Sequence, residues 1–318
     1  MIAFCIKFIC AFLLYIGLQQ LIELKTHGFC LQRIQADDLP HYNRWESKAP
    51  TSEEQSAIDR HLTQPFYLIG AGAECFAFVS EDGQTVIKFF KLDHVRPVYF
   101  QKGLLTEDYS AFAGTLSDHP LTKLILPSPF HHWLKRFLGI REFRLNRTFS
   151  SIKLAYDSLK KETGILYLHL NPTDHFHHSL TLYDASGIAH QIDLDSSKFF
   201  LQKKAVAVEP HLAALKARGA HEESKACIDS LIALLVGRCK KGFSDRDILD
   251  RNLGFIGTEA IEIDSGSFTR SPRMAQPWLY KQELYYGTLE LKAWLKKHYP
   301  EMVSYLEDRV SEQVFENI

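Results

Sequence analysis

The pattern of apolar and polar positions divides the chain into three parts. Residues 2–18 are apolar apart from Lys7. Short apolar runs broken by turn residues fill most of residues 66–90 and 164–204, and such runs are typical of β-strands. After residue 206, apolar residues recur mainly at helical spacing. The pattern therefore predicts an α+β fold, in which a strand-rich part precedes a helical part.

Two turns organise the first group of predicted strands. Apolar residues flank a glycine-containing turn, Gly70-Ala71-Gly72-Ala73. A second turn, Glu81-Asp82-Gly83-Gln84, leads into the apolar run Thr85–Phe90, which a single lysine, Lys88, interrupts. An Asp-Gly pair between apolar runs is typical of a β-hairpin. Three consecutive strands are therefore predicted between residues 66 and 90.

Further elements follow the same two periodicities. Apolar residues at helical spacing predict a helix over Thr148–Thr163, which Gly164 should end, and a strongly buried helical segment over Pro210–Lys241. The other predicted elements are strands at Gly164–Leu170, Ser179–Tyr183, Ile188–Leu194 and Lys198–Lys204, and helices at Leu279–His298 and Glu301–Val314.

The apolar N-terminal run is about 20 residues long, which at about 1.5 Å per residue is just enough to cross a bilayer. We therefore expect residues 1–22 to form an apolar helix that anchors the chain in a membrane. A signal peptide of a secreted protein and a buried apolar helix are the alternatives. Residues 23–60 predict a connector that leads into a short helix, with Thr51 or Ser52 as its N-cap.

Composition narrows the possible functions. With 46% hydrophobic and 24% charged residues among 318, the chain has the composition of an ordinary globular protein. Its formal net charge of −1 provides no general attraction for nucleic acid, so we expect no nucleic-acid partner. The six cysteines show no zinc-binding spacing. A histidine group predicts a solvated loop rather than a metal site, and its members are His175, His177 and His178.

Residues that could perform chemistry concentrate between positions 244 and 266. Asp247 is followed five residues later by Asn252, which precedes a short apolar run, Leu253–Ile256. A second short apolar run then ends in Asp264-Ser265-Gly266. Carboxylate and amide oxygens are suitable ligands for Mg²⁺, and one further carboxylate could stand beside an acceptor hydroxyl. A polar turn between two buried strands is the alternative, because Asp, Asn and Gly are common in turns.

This layout resembles the catalytic loop and the magnesium loop of the protein kinase-like superfamily. The resemblance implies phosphoryl transfer, in which positioning and charge neutralisation provide most of the catalysis. It implies that Asp247 receives the proton of the acceptor hydroxyl and that Asn252 and Asp264 hold magnesium. The implied cofactors are ATP and Mg²⁺.

The glycine-containing turn and Lys88 extend the resemblance, because they stand upstream of the loop in the order that the superfamily uses. The turn residues Gly70, Ala71, Gly72 and Ala73 would approach the phosphates through backbone N–H groups. Lys88 would contact the α- and β-phosphates and complete the catalytic set with Asp247.

Several positions depart from the superfamily pattern. Cys75 replaces the third glycine, Ser244-Asp245 replaces the usual histidine of the catalytic loop, and Ser265 replaces a common phenylalanine. No Ala-Pro-Glu motif follows, so the C-terminal lobe should be reduced. The acid expected to pair with Lys88 has three candidates, Asp157, Glu162 and Glu142.

The resemblance also implies a two-lobed arrangement. A β-rich N-lobe would occupy residues 61–205, with an insertion at about residues 91–147. A reduced helical C-lobe would occupy residues 206–318. Phe199–Lys203 would be the last strand of the N-lobe.

The sequence therefore predicts an ATP- and magnesium-dependent phosphotransferase, an atypical kinase whose acceptor is a small molecule, a lipid, a sugar or a protein. ATP chemistry predicts a cytoplasmic catalytic domain, attached to the membrane through its N-terminus. The alternative is a membrane-anchored pseudokinase that binds nucleotide or serves as a scaffold. A third hypothesis is a membrane-anchored structural protein in which the motif occurs by chance.

Overall fold

The structure, a computed structural model, describes residues 14, 17, 26–35, 41–47, 50–92, 147–176, 179–245 and 252–315. Three sequence predictions fall mainly or wholly outside these residues: the N-terminal anchor at residues 1–22, the insertion at residues 91–147, and the catalytic Asp247.

The predicted localisation at a membrane through a single N-terminal span is overturned by the helices that the structure describes. Within the described ranges, no helix is both long enough and apolar enough to cross a bilayer. A span needs about 20 predominantly apolar residues in one helix. The longest described helix, His221–Lys240, has 20 residues but includes several charged side chains.

The chain divides into two compact units. Unit 1 comprises residues 1–146 and 169–200, and unit 2 comprises residues 147–168 and 201–318. Among the described residues, unit 1 is built mainly of strands and unit 2 mainly of helices. The predicted α+β class, with a β-rich part and a helical part, is confirmed.

Seven strands form the main sheet. They are β1 (Phe66–Ala71), β2 (Cys75–Ser80), β3 (Thr85–Phe90), β4 (Ile165–His169), β5 (Ser179–Tyr183), β6 (Ala189–Asp193) and β7 (Phe199–Lys203). Their order is β4-β7-β3-β2-β1-β5-β6. The β1-β2-β3 meander and the β5-β6 hairpin are antiparallel, while β5 lies parallel to β1. The boundary between the two units crosses β4 and β7.

Local sequence explains two features of unit 1. Helix α1 (Ser52–Leu62) starts with a capping box, in which Glu54 N donates to the Thr51 hydroxyl at 3.2 Å and Thr51 N donates to the Glu54 carboxylate at 3.0 Å. This confirms Thr51 as the N-cap. The turn between β2 and β3 contains Gly83 at φ +70, a conformation that glycine adopts at low cost.

The core of unit 1 is aromatic. In β2 the buried positions alternate with partly exposed ones, so Phe76 and Phe78 share the buried face. The ring centroids of Phe78 and Phe89 are 6.0 Å apart, and those of Phe89 and Phe199 are 5.6 Å apart. These contacts join β2, β3 and β7 through one continuous cluster.

Unit 2 contains most of the helices. They are α2 (residues 147–158), α3 (Lys160–Thr163), α4 (Val208–Ala217), α5 (His221–Lys240), α6 (Pro277–Gly287), α7 (Leu289–His298) and α8 (Val303–Phe315). Its short strands are β8 (Val206–Ala207), β9 (Phe243–Asp245), β10 (Leu253–Ile256), β11 (Glu259–Glu262) and β12 (Phe268–Arg270). They form two small antiparallel sheets, β11-β10-β8 and β12-β9. Single 3₁₀ turns occur at Leu31–Arg33 and Asn43–Trp45 in unit 1 and at Pro272–Ala275 and Pro300–Met302 in unit 2.

Helix α5 is the centre of the unit 2 core, as its apolar run predicted. Leu231 and Leu235 are almost completely buried, together with residues of α4, α6, α7 and α8. The structure also divides predicted helices. Gly219, at φ +72, separates α4 from α5, Leu159 separates α2 from α3, and Thr288 separates α6 from α7. Strands β8, β9 and β12 were not predicted, because two or three residues are too few to show a period.

Gly254 permits close contact between β10 and its neighbours. A Cβ at this position would lie 2.8 Å from the Val206 carbonyl oxygen of β8 and 2.6 Å from the Ile263 Cδ1 atom. Gly254 pairs with Ala207 in the small sheet, so the contact with backbone cannot be relieved by a rotamer change.

We predict that Gly254→Ala lowers the free energy of unfolding by about 1–3 kcal/mol, because overpacking displaces backbone. Urea unfolding followed by circular dichroism measures the change. Gly237→Ala on α5 is the matched control, since a Cβ there meets no atom within 4 Å and alanine favours helix. Equal destabilisation by the two variants would contradict the prediction.

Candidate functional site

The β10–β11 hairpin brings two of the predicted metal ligands side by side. Asn252 precedes β10 and Asp264 follows β11, and Leu253 pairs with Glu262 in the ladder. The backbone N–H groups of Ile263 and Asp264 donate to the Asn252 carbonyl at 2.6 and 3.3 Å. Asn252 and Asp264, which are separated in the sequence, therefore lie close together in unit 2.

The Asp264 carboxylate is exposed and locally ordered. Gly266 N donates to Asp264 Oδ1 at 3.0 Å, which forms an Asx turn. A Cβ at Gly266 would lie 3.3 Å from the same oxygen. A side chain at this position would press on the ordered carboxylate, and the exposure of Asp264 leaves that carboxylate accessible to a cation.

Helix α2 holds the segment that follows Asp264. The Ser151 hydroxyl donates to the Ser265 carbonyl at 2.5 Å and accepts from Phe268 N at 2.7 Å. Ser151 is buried, with 1% of its surface exposed. A single hydroxyl therefore satisfies two backbone groups on either side of Gly266.

The start of the predicted catalytic loop is joined to the same segment. Strand β9 ends at Asp245, two residues before Asp247, and pairs with β12 so that Asp245 lies opposite Phe268. The Ser267 hydroxyl donates to the Asp245 carboxylate. The structure thus connects the residues before the catalytic loop with those after Asp264, while Asp247 itself lies outside the described residues.

A buried arginine lies at the centre of this arrangement. Arg238 on α5 is completely buried, and its guanidinium forms ion pairs with Glu262 at the end of β11 and with Glu283 on α6. Its Nη1 atom is 3.9 Å from Asp245 Oδ2, and the guanidinium carbon is 5.8 Å from the centroid of the Phe268 ring. One side chain therefore contacts α6, β9, β11 and β12.

Three carboxyl groups share this single guanidinium. Burial, together with the neighbouring Asp245 and Glu283, raises the pKa of Glu262 to about 7, and Arg238 opposes the rise. The direction agrees with the charge count, because three buried carboxylates against one cation would leave uncompensated negative charge. Glu262 therefore binds a proton near neutral pH.

Unit 1 contains the predicted phosphate-binding turn. The β1–β2 pair has a register shift between Leu68 and Gly70, and the turn closes with a hydrogen bond from Gly72 N to the Cys75 carbonyl at 2.9 Å. A Cβ at Gly70 would meet no atom within 4 Å, and one at Gly72 would meet only the Cys75 oxygen, at 3.9 Å. Neither position has a positive φ that would require glycine.

Lys88 lies opposite Ala77 in the β2–β3 ladder and is half-buried. Its Nζ atom is 5.4 Å from the centroid of the Phe200 ring. Of the three acids considered as its partner, Asp157 accepts from Lys153 at 3.0 Å and Glu162 pairs with Lys241. Both pairs are internal to unit 2, and Glu142 lies outside the described residues.

The two predicted metal ligands have the donor chemistry of a magnesium site. Across the described ranges, no group of three or more His, Cys, Asp or Glu residues is placed to hold a metal ion. Mg²⁺ is usually bound by one or two protein oxygen ligands together with phosphate and water. The Asn252 amide and the exposed Asp264 carboxylate match that requirement. His175 is exposed, as its prediction in a solvated loop requires, while His177 and His178 lie outside the described residues.

Sequence reasoning missed the residues that hold the loops in position. Ser151, Ser267 and Arg238 each bond to the catalytic-loop or magnesium-loop segments. The sequence contained one indication that Arg238 has a structural role, because it is a charged residue within a segment that was predicted to be strongly buried. Serines at positions 151 and 267 have no such signature.

We predict that Arg238→Met lowers the free energy of unfolding by about 3–5 kcal/mol, because it leaves buried carboxyl groups without their cation. The change is measured by urea unfolding. Arg218→Met is the control, since Arg218 pairs with Glu223 where both side chains are more than half exposed. Such a pair contributes about 0–1 kcal/mol. A loss for Arg238→Met no larger than for the control would contradict the prediction.

We also predict a pH dependence for Glu262→Gln. A carboxyl whose pKa is higher in the folded state than its ordinary 4.5 favours folding at low pH, and this contribution is lost as pH rises through about 7. Glutamine has no such proton to lose. The variant should therefore gain stability relative to the wild type between pH 5 and pH 8, measured by unfolding at each pH. A difference that stays constant, or changes in the opposite direction, would show that Glu262 is ionised throughout.

Comparison with known proteins gave structural neighbours only, since no protein-family model and no curated protein matches the chain. One neighbour is the bifunctional kinase-methyltransferase WbdD, at 15% sequence identity and a TM-score of 0.31, over 75% of this chain and 43% of that chain. Another is the complex of Rv3197 with erythromycin from Mycobacterium tuberculosis, at 13% identity and a TM-score of 0.32, over 85% and 72% of the two chains.

A third neighbour is the streptomycin–ATP–APH(2″)-IIa ternary complex, at 12% identity and a TM-score of 0.27, over 84% of this chain and 99% of that chain. The chain spans less than half the length of WbdD. At such low TM-scores, the activity of the chain must be inferred from its own residues.

Proposed function

We propose that the protein is an ATP- and magnesium-dependent phosphotransferase of atypical kinase-like type. The observation that supports the proposal most strongly is the contact between Asn252 and the residues that lead into Asp264. The backbone N–H groups of Ile263 and Asp264 both donate to the Asn252 carbonyl. These bonds bring the two backbones together, so that an amide and a carboxylate side chain start from neighbouring positions.

Each predicted site residue has a distinct task in this proposal. Asn252 and Asp264 would hold magnesium, and the bound ion would neutralise negative charge on the phosphates. Lys88 and the backbone of Gly70, Ala71, Gly72 and Ala73 would bind the phosphates. Asp247 would orient the acceptor hydroxyl and take its proton.

The loops around Asp264 support a catalytic role because their positions are determined by buried contacts. Ser151 holds both sides of the Asp264 segment, and Ser267 links it to Asp245. Phosphoryl transfer depends on precise positioning rather than on covalent chemistry by the protein. A metal ligand held by such a supporting set would lose little entropy on binding the ion.

The acceptor is the part of the reaction that these residues leave open. A small molecule, a lipid, a sugar and a protein are all compatible with a hydroxyl beside Asp247. The proposal therefore covers the reaction type and the nucleotide. ATP consumption measured with and without each class of acceptor distinguishes use of the nucleotide from choice of the acceptor.

We predict that Asp264→Asn reduces phosphoryl transfer by at least about a hundredfold, because it removes a charged magnesium ligand. The measurement is ATP consumption at saturating magnesium, with hydroxyl acceptors from each of the four classes and with no acceptor. The thermal unfolding midpoint without nucleotide should change little, since Asp264 is exposed. Asp308→Asn on α8 removes another exposed carboxylate and should retain full activity.

Three results would lead to different conclusions. Turnover by the double variant Asp247→Ala, Asp264→Ala would contradict the proposed mechanism. Stabilisation of the wild type by Mg-ATP without any transfer would favour a pseudokinase that binds nucleotide. An unfolding midpoint unaffected by Mg-ATP, together with no ATP consumption, would exclude both hypotheses.

A further inference from the structure

Lys91, the residue that follows β3, lies on the face of the main sheet opposite to Lys88. Phe76 pairs with Phe89 in the β2–β3 ladder, and successive residues of a strand alternate between the two faces of a sheet. Lys88 therefore belongs to one face, while Phe89 and Lys91 belong to the other. The position of the Lys91 ammonium agrees, because it lies 4.6 Å from the centroid of the Phe76 ring, within the range of a cation–π interaction.

Lys91 bonds to the glycine turn from that face. Its Nζ atom donates to the Gly72 carbonyl at 2.6 Å, and its backbone N–H donates to the Glu74 carbonyl at 2.8 Å. The turn itself closes with the bond from Gly72 N to the Cys75 carbonyl, at 2.9 Å. Lys91 therefore holds the backbone on both sides of Ala73.

We infer that Lys91 is a positioning residue for the nucleotide phosphates, and this inference rests on the proposed function. Lys91 does not contact the nucleotide but determines which side of a turn peptide faces it. The bond to Lys91 keeps the Gly72 carbonyl oxygen on the Phe76 face. The C=O and N–H of a trans peptide point in opposite directions. The Gly72–Ala73 peptide therefore turns its N–H side, and not its carbonyl, toward the face of Lys88.

A glycine turn of this kind needs a restraint on its peptide orientation. Glycine adopts positive and negative φ at similar cost. A Cβ at Gly70 would meet no atom within 4 Å, and one at Gly72 would meet none closer than 3.9 Å, so no neighbouring group packs closely at either glycine. If the Gly72–Ala73 peptide rotated by half a turn, its carbonyl oxygen would face the phosphates, and the negative end of its dipole would repel them.

The Lys91 ammonium opposes this rotation. A hydrogen bond from a charged donor is about twice as strong as one between neutral groups, and rotation of the peptide would break the bond to Gly72. The Phe76 ring is completely buried, so it gives the ammonium a fixed surface. Arg33 lies over the same ring, at 5.4 Å from its centroid, and donates to the Gly28 carbonyl. Arg33 therefore provides a matched control, a second cation on this ring whose guanidinium bonds to a different segment.

The test combines nucleotide binding with hydrogen exchange. We expect Lys91→Met to weaken Mg-ADP binding about tenfold, since a hydrogen bond from a charged group is lost, and to leave adenosine binding unchanged, as measured by titration calorimetry. In the protein without nucleotide, the amide hydrogens of residues 70–75 should exchange faster in this variant, as measured by mass spectrometry. Lys91→Arg keeps a charged donor and should restore most of both properties. Arg33→Met should change neither.

The outcomes separate this inference from the proposed function. A selective loss of Mg-ADP affinity together with faster exchange, both absent in Arg33→Met, would support the positioning role. A loss of Mg-ADP affinity with unchanged exchange would show that Lys91 acts through its charge alone, and the inference would be wrong. It would also be wrong if Lys91→Met bound Mg-ADP as well as the wild type does, or lost adenosine affinity to the same extent. In these three cases the proposed function stands, whereas a wild type that binds neither ligand would overturn both.

Discussion

The arrangement of unit 2 depends on one buried guanidinium surrounded by carboxyl groups. Arg238 cannot be placed in an apolar interior without partners, because the desolvation penalty of an isolated charge is several kcal/mol. Its partners come from β9, β11 and α6. Helix α5 can therefore bury Arg238 with its charge compensated only when β9, β11 and α6 are all in place.

This constraint holds one end of each of the two predicted site loops close to the Arg238 side chain. Asp245 precedes the predicted catalytic loop, and Glu262 precedes Asp264 by two residues. Gln202 adds a further restraint, since its amide donates to the Glu262 carbonyl at 3.0 Å and to the Thr163 carbonyl at 2.7 Å. Buried polar groups of this kind are costly unless all of them are satisfied. They favour one loop arrangement over alternatives that leave a partner unpaired.

The sequence predicted what depends on local pattern. The strand Thr85–Phe90, the Thr51 cap and the buried run of α5 follow from periodicity and capping chemistry, and the structure confirms them. The sequence brought Asn252 and Asp264 together only through the resemblance to kinase-like proteins, and the structure shows their backbones joined. The hydrogen bonds of Ser151 and the ion pairs of Arg238 with Glu262 and Glu283 join residues 24 to 117 positions apart. No local pattern encodes such separations, so they could be seen only in the folded chain.

The two parts of the proposed site differ in what holds them in place. The Asp264 segment is held by buried hydrogen bonds from Ser151 and Ser267, so its geometry is determined by the core of unit 2. At the glycine turn, Gly72 N donates to the Cys75 carbonyl, and the partly exposed Lys91 bonds to the Gly72 and Glu74 carbonyls. Exposed bonds of this kind can exchange with water or with a ligand at little cost. The proposed function assigns magnesium to the segment held by buried bonds and the nucleotide phosphates to the turn held by exposed bonds.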